Sequence, residues 1–377
     1  MRIAFYAPMK HLDDPEPSGD RRVANAFANA LKNLGHDVFQ ASTFRSYEGT
    51  GSCERQNAIK RAAFEVRDDL LKQLANQPPE LWFTYHVYHK SPDWIGPTIS
   101  DHFDIPYVIA EASHAPKQEN GPWKIALAGA VKAIRRADAT ISVNPTDEAC
   151  LENLRGNHSG LHFIPPFIEA KSPMTASERS KLREYLATEL EIDPSMPWLL
   201  CVAMMRPGAK RESYKVLANA MANTTRQPVP LLIAGSGSAL PAVVEFFKEA
   251  ASVRFVGECS PRKLRELYAA ADLFVWPAVR EGFGMAILEA QAAGLPVVAG
   301  YTPGVATIVD DGKTGILTEA GDAHSFARAV DRLLQHREIR SDMSMAAIYK
   351  TRQTHTSHVA EQKLRRILEG LRTGNAV

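Results

Sequence analysis

The chain has 377 residues, 45% of them apolar and 23% charged, with 44 lysines and arginines against 43 acids. A single core seldom grows past about 250–300 residues, so two domains are expected. The formal net charge of +1 argues against a nucleic-acid binder, which carries a basic excess, and no apolar run reaches the ~18 residues of a spanning helix.

In chain order, Met1-Arg-Ile-Ala-Phe-Tyr-Ala-Pro8 reads as a first strand and not a signal peptide, so a cytoplasmic protein is expected. Short apolar runs follow at Ile3–Ala7, Val38–Ala41, Leu81–Tyr85, Tyr107–Ala110, Ala139–Val143 and Leu161–Ile164. A second set lies at Trp198–Ala203, Leu231–Ala234, Val253–Val256, Leu273–Trp276, Pro296–Ala299 and Gly315–Leu317. Between most of them apolar residues recur at helical spacing, as in Val23, Phe27, Ala30, Leu31 and Leu34. Strand and helix in alternation predict parallel sheets covered on both faces, here two doubly wound domains. The prolines of Ile164-Pro-Pro-Phe167 and the polar Glu169–Thr175 mark the boundary. The expected division is 1–170, 171–352, and a terminal segment 353–377. That segment places Ala360, Leu364, Ile367, Leu368 and Leu371 on one helical face, which must dock and is expected to cross back to the first domain. The four cysteines, Cys53, Cys150, Cys201 and Cys259, form no C-x-x-C pair, which argues against zinc and fits reduced thiols.

In open parallel sheets, ligands bind outside the carboxyl ends of strands, so polar residues there carry weight. The loop Pro17-Ser-Gly-Asp-Arg-Arg22 opens the first long helix. Gly19 can admit a phosphate to a helix N-terminus, or the loop is an ordinary Ser or Asp N-cap. Tyr85-His-Val-Tyr-His89 suits a sugar ring or simple packing, and Glu111 suits a local pair. His114 follows a strand, where it can orient a polar group or be structural. Met204-Met-Arg-Pro-Gly-Ala-Lys-Arg-Glu212 gathers Arg206, Lys210 and Arg211 in a Gly/Pro loop, fit to neutralise a diphosphate or to lie in solvent. Leu231-Leu-Ile-Ala-Gly-Ser-Gly237 starts like a dinucleotide fingerprint, but Leu240 stands at its third glycine, so it reads as a tight turn.

The most informative stretch is Glu281-Gly-Phe-Gly-Met-Ala-Ile-Leu-Glu289, directly after a strand. A helix beginning there offers unpaired N–H groups to phosphate. If the whole stretch is helical, the two carboxylates stand roughly 12 Å apart, at about 1.5 Å per residue. That suits gripping two ends of an extended ligand. Glu289 lies among apolar neighbours and needs a partner, for which a ligand hydroxyl serves.

This segment, with Gly294-Leu-Pro-Val-Val298, Gly304-Val-Ala-Thr-Ile-Val309 and Asp311-Gly-Lys-Thr-Gly315 after it, resembles the E-x7-E region of the family 4 retaining glycosyltransferases. The resemblance is strongest over about 198–335. It implies the GT-B fold, two Rossmann-like domains facing across a cleft, with the donor on the second and the acceptor on the first. It assigns Glu289 to the ribose hydroxyls and Glu281 to the donor sugar. Phe283, Gly284 and Met285 fall to the turn whose amides meet diphosphate and sugar, and Arg206 to the donor phosphate. The partner lysine of the family falls at Arg211, with Lys210 beside it, and either can reach the phosphate. Gly19 matches a glycine of the first loop, and His114 the first-domain histidine on the donor sugar. Pro166 departs from the family's usual Asn.

The resemblance further implies transfer from a UDP- or GDP-linked sugar, with retention and without a metal or other cofactor, to a sugar, glycan or lipid-linked glycan. Polysaccharide, glycolipid or glycoconjugate synthesis is the expected setting. The mixed charges of residues 54–72 give weak support for peripheral contact with the inner membrane face. A sugar-nucleotide epimerase and a non-catalytic sugar-binding protein are the alternatives.

Overall fold

The computed structural model describes residues 1–16, 18–156, 160–169, 174–225 and 228–373. Pro17 of the first loop and residues 170–173 of the expected boundary stretch lie outside the described residues. The remainder forms two compact units, one of residues up to Glu169 together with those from Ser357 onward, the other from Met174 to Thr356.

Unit 1 holds six strands, β1 (Arg2–Tyr6), β2 (Asp37–Ser42), β3 (Leu81–Val87), β4 (Tyr107–Ala112), β5 (Ala139–Ser142) and β6 (Leu161–Phe163), in the order β2-β1-β3-β4-β5-β6. All pairs are parallel. The strands read as apolar runs because helices cover both faces. Those helices are α1 (Gly19–Asn33), α2 (Cys53–Leu74), α3 (Gly96–Phe103), α4 (Lys124–Arg136) and α5 (Pro145–Arg155). Of the α1 stripe, Val23, Phe27, Ala30 and Leu31 are buried, while Leu34 is the C-cap. The order reverses between β1 and β3, so β1 leads outward to β2 and β3 leads the other way. A crevice at the carboxyl ends is expected at such a switch.

Unit 2 holds β7 (Leu199–Val202), β8 (Leu231–Ala234), β9 (Val253–Gly257), β10 (Leu273–Trp276), β11 (Val297–Gly300) and β12 (Gly315–Thr318), in the order β12-β11-β10-β7-β8-β9, all parallel. Its helices are α6 (Ala176–Leu190), α7 (Ala209–Ala222), α8 (Leu240–Phe246), α9 (Pro261–Ala270), α10 (Met285–Ala292), α11 (Pro303–Ile308), α12 (Ala323–Gln335) and α13 (Arg337–Thr354). The switch falls between β7 and β10, and the loops leaving those two strands flank it.

The helix α14 (Ser357–Thr373) belongs to unit 1. Ala360, Leu364, Ile367 and Leu368 are buried on one face, each larger aliphatic stabilising by roughly 1.5–3 kcal/mol when fully covered. Asn33 of α1 donates to Glu361 at 2.8 Å, and Lys363 Nζ donates to the Phe163 carbonyl at 3.1 Å.

Candidate functional site

At the unit 2 switch, the chain leaves β10 through Pro277 and Ala278, whose φ is +47°. Gly284 then caps α10 with φ +78°, a left-handed conformation that glycine adopts freely. The helix therefore begins at Met285. Glu281 lies in the preceding turn and only Glu289 is helical, so the 12 Å separation drawn from a continuous helix does not apply. The left-handed Gly284 is the physical reason.

The turn is clamped from three sides. Thr302 Oγ1 donates to the Glu281 carbonyl at 2.9 Å, and the Val279 N–H donates to Ser213 Oγ at 3.1 Å. Gly304 approaches so closely that a Cβ there would sit 1.5 Å from the Gly282 oxygen. Held this way, Glu281 accepts from the Trp276 indole at 3.0 Å and pairs closely with the Lys210 ammonium, which lies 5.1 Å from the Trp276 ring centre. No hydrogen bond among the described residues uses the backbone N–H of Phe283, Gly284, Met285 or Ala286. An uncapped helix start thus presents donors beside an ammonium group.

Lys210 is the second residue of α7, after the loop that carries Arg206. Arg206 is half-buried there, and its carbonyl accepts the Arg211 N–H at 3.1 Å. The Arg211 side chain is exposed and pairs with Glu212 at 3.5 Å. Of the two cations left open by the sequence, Lys210 is the one brought to Glu281. Glu289 has a protein partner, the Tyr268 hydroxyl of α9 at 3.0 Å. Tyr268 escaped sequence reading because it sits 21 residues upstream in an ordinary amphipathic helix.

The Gly235–Gly237 pair is a packing device. Cβ atoms there would lie 2.0 Å from the Ala203 oxygen and 2.3 Å from the Met205 oxygen. These glycines let the β8 exit press on the β7 exit, which is the tight turn expected.

Unit 1 differs. Ser18 caps α1 by accepting from the Arg21 N–H at 3.1 Å. A Cβ on Gly19 would meet nothing within 4 Å, so packing does not demand glycine there. His114 lies half-buried in the loop after β4 and makes no hydrogen bond or ion pair among the described residues. Burial lowers its pKa.

Asp20 of α1, His86 of β3 and Glu111 of β4 form a cluster instead; the sequence offers His86 within a sugar-ring stretch and Glu111 for a local pair, but not their meeting with Asp20. His86 Nδ1 touches Asp20 Oδ1 and lies 3.9 Å from Glu111 Oε1, while the buried Tyr85 hydroxyl donates to Glu111. His86 stacks on Tyr88, with ring centres 4.7 Å apart. Burial disfavours a charged His86, but Glu111, Asp20 and Asp147 outweigh it and raise its pKa to about 9. Burial likewise raises Glu111 and Asp147. Both His86 and Glu111 hold positive φ, +65° and +59°, rare for residues with a Cβ. They stand side by side, since Tyr85 pairs with Ala110 and Val87 with Ala112. The residues are 66 and 25 positions apart, so no local motif announces them. Their shared place at strand ends around one switch is the only sequence signal.

Comparison with known proteins agrees with this architecture. Two parallel six-stranded sheets with flanking helices, each with a topological switch, match the GT-B fold. Anabaena HepE in complex with UDP superposes with a TM-score of 0.74 at 17% identity, over 98% of this chain and 100% of that one. Sucrose-phosphate synthase from Thermosynechococcus elongatus gives 0.75 at 18% identity, over 99% and 100%. Residues 196–336 match the model of the glycosyl transferases group 1. Over that stretch, a little over a third of the chain, the second unit is similar to the group 1 glycosyl transferases. A D-inositol 3-phosphate glycosyltransferase of Nocardia farcinica is 27% identical over 78% of this chain and 68% of its own length. One of Corynebacterium diphtheriae is 36% identical over 31% of this chain, and the match spans 29% of that protein.

Proposed function

We propose that the chain is a retaining glycosyltransferase that moves a sugar from a nucleotide-diphosphate donor, bound by unit 2, to an acceptor hydroxyl. The observation that carries the reading is the Lys210–Glu281 pair beside the unbonded amides of residues 283–286. An ammonium and a row of N–H donors at a switch point form a ready anion site. Glu281 neutralises Lys210 until a diphosphate arrives. Departure of the nucleoside diphosphate builds charge on its β-phosphate, and Lys210, Arg206 and the amides are aimed at that charge. Preorganised donors of this kind are usually the largest catalytic term, each worth about 3–4 kcal/mol.

Glu289, positioned by Tyr268, would take the ribose hydroxyls, and Glu281 the donor sugar. By the family resemblance, Gly19 would belong to the first loop and His114 would contact the donor sugar. These protein cations do the work of a divalent metal, so none is assigned, and no other cofactor is. HepE holds UDP, which supports UDP ahead of GDP here. Retention of configuration rests on the family resemblance. The acceptor we propose is a sugar, glycan or lipid-linked glycan, in polysaccharide or glycoconjugate synthesis at the cytoplasmic side of a membrane. No helix of the described residues is long and apolar enough to cross one.

The test is a panel of UDP- and GDP-sugars with the full chain, in EDTA, following nucleotide release and product anomer. Release with a retained anomer is expected from one donor. Conversion of donor to an epimer without transfer would select the epimerase reading, and binding without turnover the sugar-binding one.

A further inference from the structure

The switch point of unit 1 carries the opposite charge pattern from that of unit 2. Asp20, Glu111 and Asp147 surround the single imidazole of His86. Among the described residues no lysine or arginine pairs with any of the three carboxylates. Asp20 Oδ2 is buried and has no hydrogen-bond partner. The side chains remain reachable, with 18% of His86, 14% of Glu111 and 12% of Asp20 exposed. A carboxylate accepts and never donates when ionised, whereas an imidazolium only donates. The cluster therefore offers surplus acceptors around one donor, and its counterpart is a set of hydroxyl or ammonium groups.

We propose that Asp20, His86 and Glu111 form a binding site for a non-anionic polyol, neutral or amino-bearing, and that it selects such an acceptor over a phosphorylated one. Calling this ligand the acceptor rests on the glycosyltransferase reading above. A phosphate placed here would face three carboxylates with one imidazolium to offset them, in a half-buried setting where charges are weakly screened. A hydroxyl or ammonium group would instead donate to the surplus carboxylate oxygens of the cluster. This separates the chain from the relatives named for D-inositol 3-phosphate, even though they share its second-unit domain.

Ligand-observed NMR on the full chain tests the proposal with matched pairs: myo-inositol against inositol 3-phosphate, and glucose and glucosamine against glucose 6-phosphate. The unphosphorylated member should bind at least about tenfold more tightly, a difference of ~1.4 kcal/mol. Asp20→Asn and Glu111→Gln, each shown folded by circular dichroism, should lose polyol binding and relax the discrimination. A phosphorylated member that binds as well or better overturns the proposal. So does undiminished polyol binding in both folded variants, or a panel in which no polyol binds. Calorimetry of nucleotide sugars with the wild-type chain reads the donor assignment separately. If that arm fails while polyols still bind, the glycosyltransferase reading falls and the polyol site stands.

Discussion

The two sheets place their polar groups at the same topological position and give them opposite signs. At the unit 2 switch a lysine and free amides wait for an anion, with one glutamate as a temporary partner. At the unit 1 switch three carboxylates crowd one imidazolium. The architecture supplies a switch point in both cases, and a few residues at strand ends set its charge. On the proposed reading, two copies of one fold would hold two chemically unlike substrates, one rich in phosphate and one without it.

The comparison breaks most sharply at Lys210. Lys210→Ala leaves Glu281 without its cation and removes the ammonium from the phosphate, so kcat should fall by about 10²–10³, read by nucleotide release. A fall no larger than that of Arg211→Ala, whose side chain is exposed on Glu212, would show that the two cations were assigned the wrong way round. Glu289→Ala should act on binding, weakening nucleotide affinity by roughly 1.5–3 kcal/mol, the scale of a hydrogen bond to a charged group, by calorimetry. Tyr268→Phe should do the same more mildly, since it only positions that carboxylate. Gly304→Ala tests the clamp: its Cβ would overlap the Gly282 oxygen, and overpacking of this kind costs about 1–3 kcal/mol. Denaturant unfolding should show the loss, with donor affinity falling alongside.

The mildest effect concerns pH. The folded pKa of His86, about 9, stands above its unfolded value near 6.5. The stability it adds is full below the unfolded value and is lost as pH rises through the folded one. The melting temperature should decline between about pH 6.5 and 9.5, and His86→Gln should flatten that decline. An equal decline in the variant would show that the imidazolium contributes little.

The strands were legible because buried parallel strands are continuous apolar runs, and all twelve runs lie on observed strands. The Glu281–Glu289 stretch was legible as a turn and helix directly after a strand, but its helix start was not, since a left-handed glycine cannot be told from a helical one by pattern alone. Tyr268 and the Asp20–His86–Glu111 cluster were illegible for a different reason. Tyr268 and Asp20 are unremarkable in their own segments, and although His86 and Glu111 stood out singly, only the sheet order brings them together with Asp20. The choice of Lys210 over Arg211 likewise depended on which way the first turn of α7 faces.

The helix α14 returns to unit 1 after the whole of unit 2 has been traversed. During synthesis, residues up to Glu169 must therefore wait with part of α1 uncovered while the ribosome makes nearly two hundred more. Unit 2 is contiguous and can complete first. Expressed alone, residues 1–169 would leave bare the part of α1 against which α14 packs, so a soluble first domain would have to be produced with Ser357–Thr373 supplied in trans or joined by a short linker.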